Sequence, residues 1–80
     1  MSPRHRILLV DDEVALQRTV ATVLRNGGYD VVISATGGDA LRQAKDASPD
    51  LVVLDLGLPD LDGLEVRRRL RPMLPVPTTR

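Results

Sequence analysis

Ile7, Leu8, Leu9 and Val10 form an unbroken apolar run that ends on two acids, Asp11 and Asp12. A run with no alternating polar position predicts a strand covered on both faces, as in a parallel sheet. Leu16, Val20, Val23 and Leu24 follow at helical spacing, with Asp12 as a candidate N-cap and Gly27 or Gly28 for the left-handed turn that ends a helix. Val31, Val32 and Ile33 are consecutive β-branched residues and predict a second strand. Thr36 and Asp39 then stand in capping-box spacing ahead of Ala40, Leu41, Ala44 and Ala47, a second helix that must end before Pro49. Leu51 to Leu54 repeat the buried-strand pattern and again stop on a carboxylate, Asp55, after which Gly57 and Pro59 mark a loop. Asp62 is placed to cap a third helix from about Leu64 to Arg71, where Val66, Leu70, Met73 and Leu74 share one face and Pro72 halts the helix before the last two. With Pro72, Pro75 and Pro77 so close together, the tail from about 72 is expected to be irregular.

Strands alternating with helices specify right-handed βαβ crossovers and an α/β fold with an open parallel sheet between helical layers. Eighty residues make one domain at the usual about 100 to 200 residues each. Tyr29 is the sole aromatic, so the core is aliphatic and modest. Eleven basic residues balance 11 acidic ones, which removes the overall positive field of a nucleic-acid or anionic-membrane binder. The charges are nonetheless segregated. Asp46, Asp50, Asp55, Asp60, Asp62 and Glu65 occur with no base among them, followed by Arg67, Arg68, Arg69, Arg71 and Arg80 with no acid. The lack of cysteine excludes a disulfide scaffold, a thiolate zinc site and a Cys nucleophile. No apolar run approaches the roughly 18 residues of a membrane span, and Ile7 to Val10 is too short for a signal-peptide core, so the expectation is a cytoplasmic chain.

The acids carry the candidate chemistry. Strand C-termini in a parallel sheet emerge at one edge, and ligands bind there where strand order reverses. If the first and third strands are neighbours, Asp11, Asp12 and Asp55 converge. Three carboxylates without His or Cys form an all-oxygen set suited to a hard cation such as Mg²⁺, which also accepts waters and a phosphate. Beside such a cation a carboxylate can attack a phosphoryl group and form an acyl phosphate. Asp55, a single acid at a strand tip, is the better nucleophile, and the paired acids are the better ligands. Taken one at a time, each acid is equally a helix cap or a turn former; their joint placement at strand ends favours function.

Three rival motifs fail. A calcium loop aligned on Gly63 puts Leu58 in its first position and Arg69 in its last. A phosphatase with a second acid two residues past its nucleophile would need an acid where Gly57 stands. Neither Gly27–Gly28 nor Gly37–Gly38 is followed by the lysine of a phosphate loop. His5 is assigned no role, and consecutive Arg67, Arg68 and Arg69 point in different directions as a solvated helix face.

Ile7 to Glu13, reading ILLVDDE, and Leu51 to Gly63, reading LVVLDLGLPDLDG, resemble the receiver domain of two-component response regulators. The wording of Leu56 to Gly63 is most similar to receivers joined to winged-helix transcription factors. The resemblance implies a flavodoxin-like, CheY-like fold in which Asp55 accepts a phosphoryl group from the phosphohistidine of a sensor histidine kinase. It also implies Mg²⁺ held by Asp11, Asp12, Asp55 and the backbone carbonyl of Gly57, with Pro59 and Gly63 shaping the adjoining loop. A family receiver has five βα units in strand order 2-1-3-4-5, whereas residues 1–80 hold about three, which gives a partial, C-terminally truncated receiver of order 2-1-3. The Ser or Thr and the Lys that the family places after later strands have no counterpart: Thr78 and Thr79 follow no apolar strand, and Lys45 lies on the second helix.

The expected function is therefore a phosphoacceptor module of a phosphorelay rather than an enzyme, with phosphotransfer impaired and stability marginal. This segment is expected to bind neither nucleic acid nor membrane directly. The alternative is a non-phosphorylated interaction fragment that self-associates through its exposed third strand.

Overall fold

In a computed structural model the described residues are 5–55 and 63–71. Strand β1 (Arg6–Val10), helix α1 (Val14–Asn26), β2 (Asp30–Ser34), α2 (Gly37–Asp46), β3 (Leu51–Leu54) and α3 (Gly63–Leu70) follow one another in strict alternation. All three strands run parallel in the order β2-β1-β3. This is the expected 2-1-3 order, with β1 central and the sheet open at β2 and β3.

Because successive strand side chains point to opposite faces, the sheet has two different sides. Leu8 and Val10 of β1 and Val52 and Leu54 of β3 enter one core with Ala40 and Ala44 of α2 and Val66 and Leu70 of α3, and Val32 and Leu41 pack against it. Ile7 and Leu9 face the other way and are also buried, so β1 is covered on both faces as its unbroken apolar run requires. Each fully buried Leu or Val contributes about 1.5–3 kcal/mol.

The helix boundaries follow local chemistry. Thr36 Oγ1 accepts the Asp39 N–H at 3.1 Å and caps α2 as its spacing predicts. Gly28, not Gly27, takes the left-handed conformation after α1, with φ of 95°. Asp12 does not cap α1. The helix starts one residue later, Glu13 occupies the N-cap but its side chain makes no capping hydrogen bond to the helix, and it is Asp11 Oδ1 that accepts the Glu13 N–H, at 2.9 Å. Val23, expected on the apolar face, is 66% exposed, and Ala21 is the residue of α1 that is fully buried. After α2 the chain turns through Ser48, whose φ of 48° is unusual for a residue with a side chain. The third helix matches its expected span; Asp62, Met73, Leu74 and the proline-rich tail lie outside the described residues. No helix among the described residues is long and apolar enough to cross a membrane.

Candidate functional site

Register brings the acids together. Val10 pairs with Leu54, the last residues of β1 and β3, so Asp11 and Asp55 leave the sheet side by side. The Asp55 N–H extends the ladder by donating to the Val10 carbonyl at 2.9 Å, and the Asp11 N–H donates to the Ser34 carbonyl of β2 at 3.0 Å. Asp11 and Asp55 are nearly buried, at 4% and 3% exposure, whereas Asp12 is exposed. One carboxylate oxygen from each of Asp11, Asp12 and Asp55 lies within 4.8 Å of the other two.

Burial of two acids this close is unfavourable unless hydrogen bonds or a cation offset it. Part of the compensation is visible in the Glu13 N–H on Asp11 Oδ1. The donor set also fits a small hard cation. Octahedral Mg²⁺ holds oxygens at about 2.0–2.1 Å, which places ligand pairs roughly 3–4 Å apart. The present spacing, up to 4.8 Å, would shorten by about 1–2 Å on closing around such an ion. Gly57, Pro59 and the adjoining loop lie outside the described residues.

The sequence left one contact unread: the Gln17 side-chain amide donates Nε2–H to the Asp11 carbonyl oxygen, and the Gln17 N–H donates to the Glu13 carbonyl at 2.9 Å. A polar residue one turn into an amphipathic helix looks solvated, and only the path of the chain between β1 and α1 turns it back onto the loop. Elsewhere, Lys45 lies in the last turn of α2. His5, assigned nothing, stands 3.6 Å from Asp50 beneath the opposite end of the sheet. Arg68 and Arg69 form the expected solvated face, each 3.1 Å from Glu65, while Arg67 is half-buried and its Nε has no hydrogen-bond partner among the described residues.

Comparison with known proteins decides the family. The model of the response regulator receiver domain matches residues 7–79. The chain belongs to the response regulator receiver domain family. It is similar to the alkaline phosphatase synthesis transcriptional regulatory protein PhoP of Bacillus subtilis, 46% identical over 66 residues that make up 82% of this chain and 28% of that protein. It is also similar to the transcriptional regulatory protein KdpE of Mycobacterium tuberculosis, 44% identical over 71 residues, 89% of this chain and 31% of that one. Both names describe transcriptional regulators, in keeping with the expected likeness to receivers of winged-helix factors. The receiver thus spans less than a third of these relatives. Among solved structures, a CheY-like response regulator receiver domain protein from Methanospirillum hungatei superposes with a TM-score of 0.87 at 33% identity, covering 95% of this chain and 63% of that chain. The activated N-terminal receiver domain of Klebsiella pneumoniae RstA gives 0.84 at 32% identity, covering 92% and 63%. The three described strands and three helices are those of this fold.

Proposed function

We propose that this receiver is the phosphoacceptor of a two-component relay and that Asp55 takes a phosphoryl group from the phosphohistidine of a sensor histidine kinase. The observation that carries the reading is the meeting of the Asp11, Asp12 and Asp55 carboxylates at the sheet edge. In the transfer, an Asp55 carboxylate oxygen forms the bond to phosphorus as the phosphorus–nitrogen bond breaks. The imidazole leaves with that electron pair and takes up a proton, and Asp55 becomes an acyl phosphate. Asp11, Asp12, Asp55 and the Gly57 carbonyl would hold Mg²⁺, which when bound supplies positive charge against the phosphoryl oxygens. The chain's own contribution is positional. Buried Asp55 is fixed by its backbone bond to β1, Asp11 is oriented by the Glu13 N–H, and Asp12 is the exposed member of the three.

Incubation with acetyl phosphate and Mg²⁺, followed by intact-mass measurement, tests this. One added phosphoryl group on the wild-type chain, absent from Asp55→Asn and from samples stripped with chelator, is the expected result. No gain at any donor concentration overturns it.

A second reading has its own observation. Beside edge strand β3, Ile7, Leu24, Tyr29, Leu51 and Val53 line an apolar cavity of about 310 Å³ rimmed by His5 and Asp50. Among the described residues no strand pairs with the outer edge of β3, and an edge strand next to apolar surface invites pairing with another chain. Concentration-dependent sedimentation without phosphorylation would favour that interaction role.

A further inference from the structure

Asp11 and Asp12 are consecutive, so the peptide joining them sets the separation and relative orientation of two of the three carboxylates. That peptide and the one before it are each anchored by a hydrogen bond. The Asp11 N–H is tied to the Ser34 carbonyl of β2 at 3.0 Å, and the Asp11 carbonyl oxygen, which belongs to the Asp11–Asp12 peptide itself, accepts from Gln17 Nε2. Gln17 is in turn seated in the first turns of α1, its own N–H on the Glu13 carbonyl at 2.9 Å, while the Glu13 N–H holds Asp11 Oδ1 at 2.9 Å. Sheet and helix therefore grip the same short loop through a closed circuit of hydrogen bonds.

We propose that Gln17 is a positioning residue for the acidic centre, fixing the Asp11–Asp12 peptide so that both carboxylates stand ready for a divalent cation. The inference rests on reading that centre as a cation site and adds a residue outside the ligand set. Without the amide donor, the Asp11 carbonyl must turn to water and the peptide gains freedom to rotate, which swings the Asp12 side chain relative to Asp11. Ordering that is completed on folding would then have to be completed on binding, and affinity falls. Magnesium should suffer most, because it demands near-ideal octahedral geometry whereas calcium accepts irregular ligand sets.

The test uses the 80-residue chain titrated with MgCl₂ and separately with CaCl₂, followed by the amide NMR shifts of Asp12 and Asp55. Gln17→Met keeps side-chain length and removes the donor, and Gln17→Leu is a second non-donating variant should the first fold poorly. Thr19→Ala is the control, since it deletes a side-chain bond of the same helix, Thr19 Oγ1 to the Ala15 carbonyl at 3.0 Å, on an exposed position. The expected result is a Kd for Mg²⁺ raised about threefold to tenfold in the Gln17 variants, the range of one ordinary hydrogen bond, with a smaller change for Ca²⁺ and none in Thr19→Ala. Folded Gln17 variants that bind Mg²⁺ within twofold of wild type, or that lose Mg²⁺ and Ca²⁺ affinity equally, overturn the positioning role while leaving the cation reading intact. A wild-type chain with no saturable Mg²⁺ response removes the cation reading, and the positioning role with it.

Discussion

The two faces of the β-sheet are closed to different degrees. On one, α2 and α3 together seal Leu8, Val10, Val52 and Leu54 into a core whose strand residues are fully buried. On the other, α1 covers Ile7 and Leu9 but leaves Leu51 and Val53 beside an apolar cavity, and its own Val14 and Val23 are 58% and 66% exposed. Among the described residues, two helices close one face and a single helix covers the other. Strand β3 thus buries its even-numbered residues fully and its odd-numbered ones only in part, and the acidic centre sits where both faces meet the sheet edge.

The largest effect expected from that asymmetry is at Leu54, where truncation to Ala should cost about 2–5 kcal/mol by urea denaturation, against less than half as much for Val53→Ala one residue away. Equal losses would mean the open face is as well packed as the closed one. Next comes the cap of the helix that helps seal the core: Thr36→Ala should cost about 1 kcal/mol, because the Asp39 N–H loses its acceptor. Replacing exposed Val23 by Ser should change stability by no more than about 0.5 kcal/mol, and a larger loss would reveal that α1 is covered in solution.

The smallest effect is one of pH. The Arg42 guanidinium bonded to Asp39 holds that carboxyl below its ordinary value of 3.8. A depressed folded pKa stabilises the fold above the unfolded value, and the contribution disappears as pH falls through the lower folded one. Both side chains are partly exposed, so Asp39→Asn should remove only a few tenths of a kcal/mol at neutral pH and flatten the acid limb of the stability profile below about pH 4.

Much of this was legible from the chain. Unbroken apolar runs located all three strands, that of β3 to the residue, because four consecutive apolar positions bounded by Asp50 and Asp55 mark the limits of a strand even where, as in β3, one face is only half-buried. Their terminal acids located the centre once β1 and β3 were neighbours. What escaped lay in loop geometry. Asp12 looked like the cap of α1 because a strand end and a helix start compete for the same short acidic segment, and the extra loop residue shifts the helix by one. Ser48 takes a left-handed conformation where glycine is the usual signal, so composition gave no warning. Gln17 was invisible as part of the centre because its partner is a backbone carbonyl, which no side-chain pattern records.

The pairing of Val10 with Leu54 has a consequence for fidelity of assembly. Sliding β3 by one position would invert its side chains and carry Asp55 to the far face, away from Asp11. The register that buries Val52 and Leu54 is therefore also the one that brings the three carboxylates to the same rim, so packing and the acidic cluster select a single alignment of the sheet.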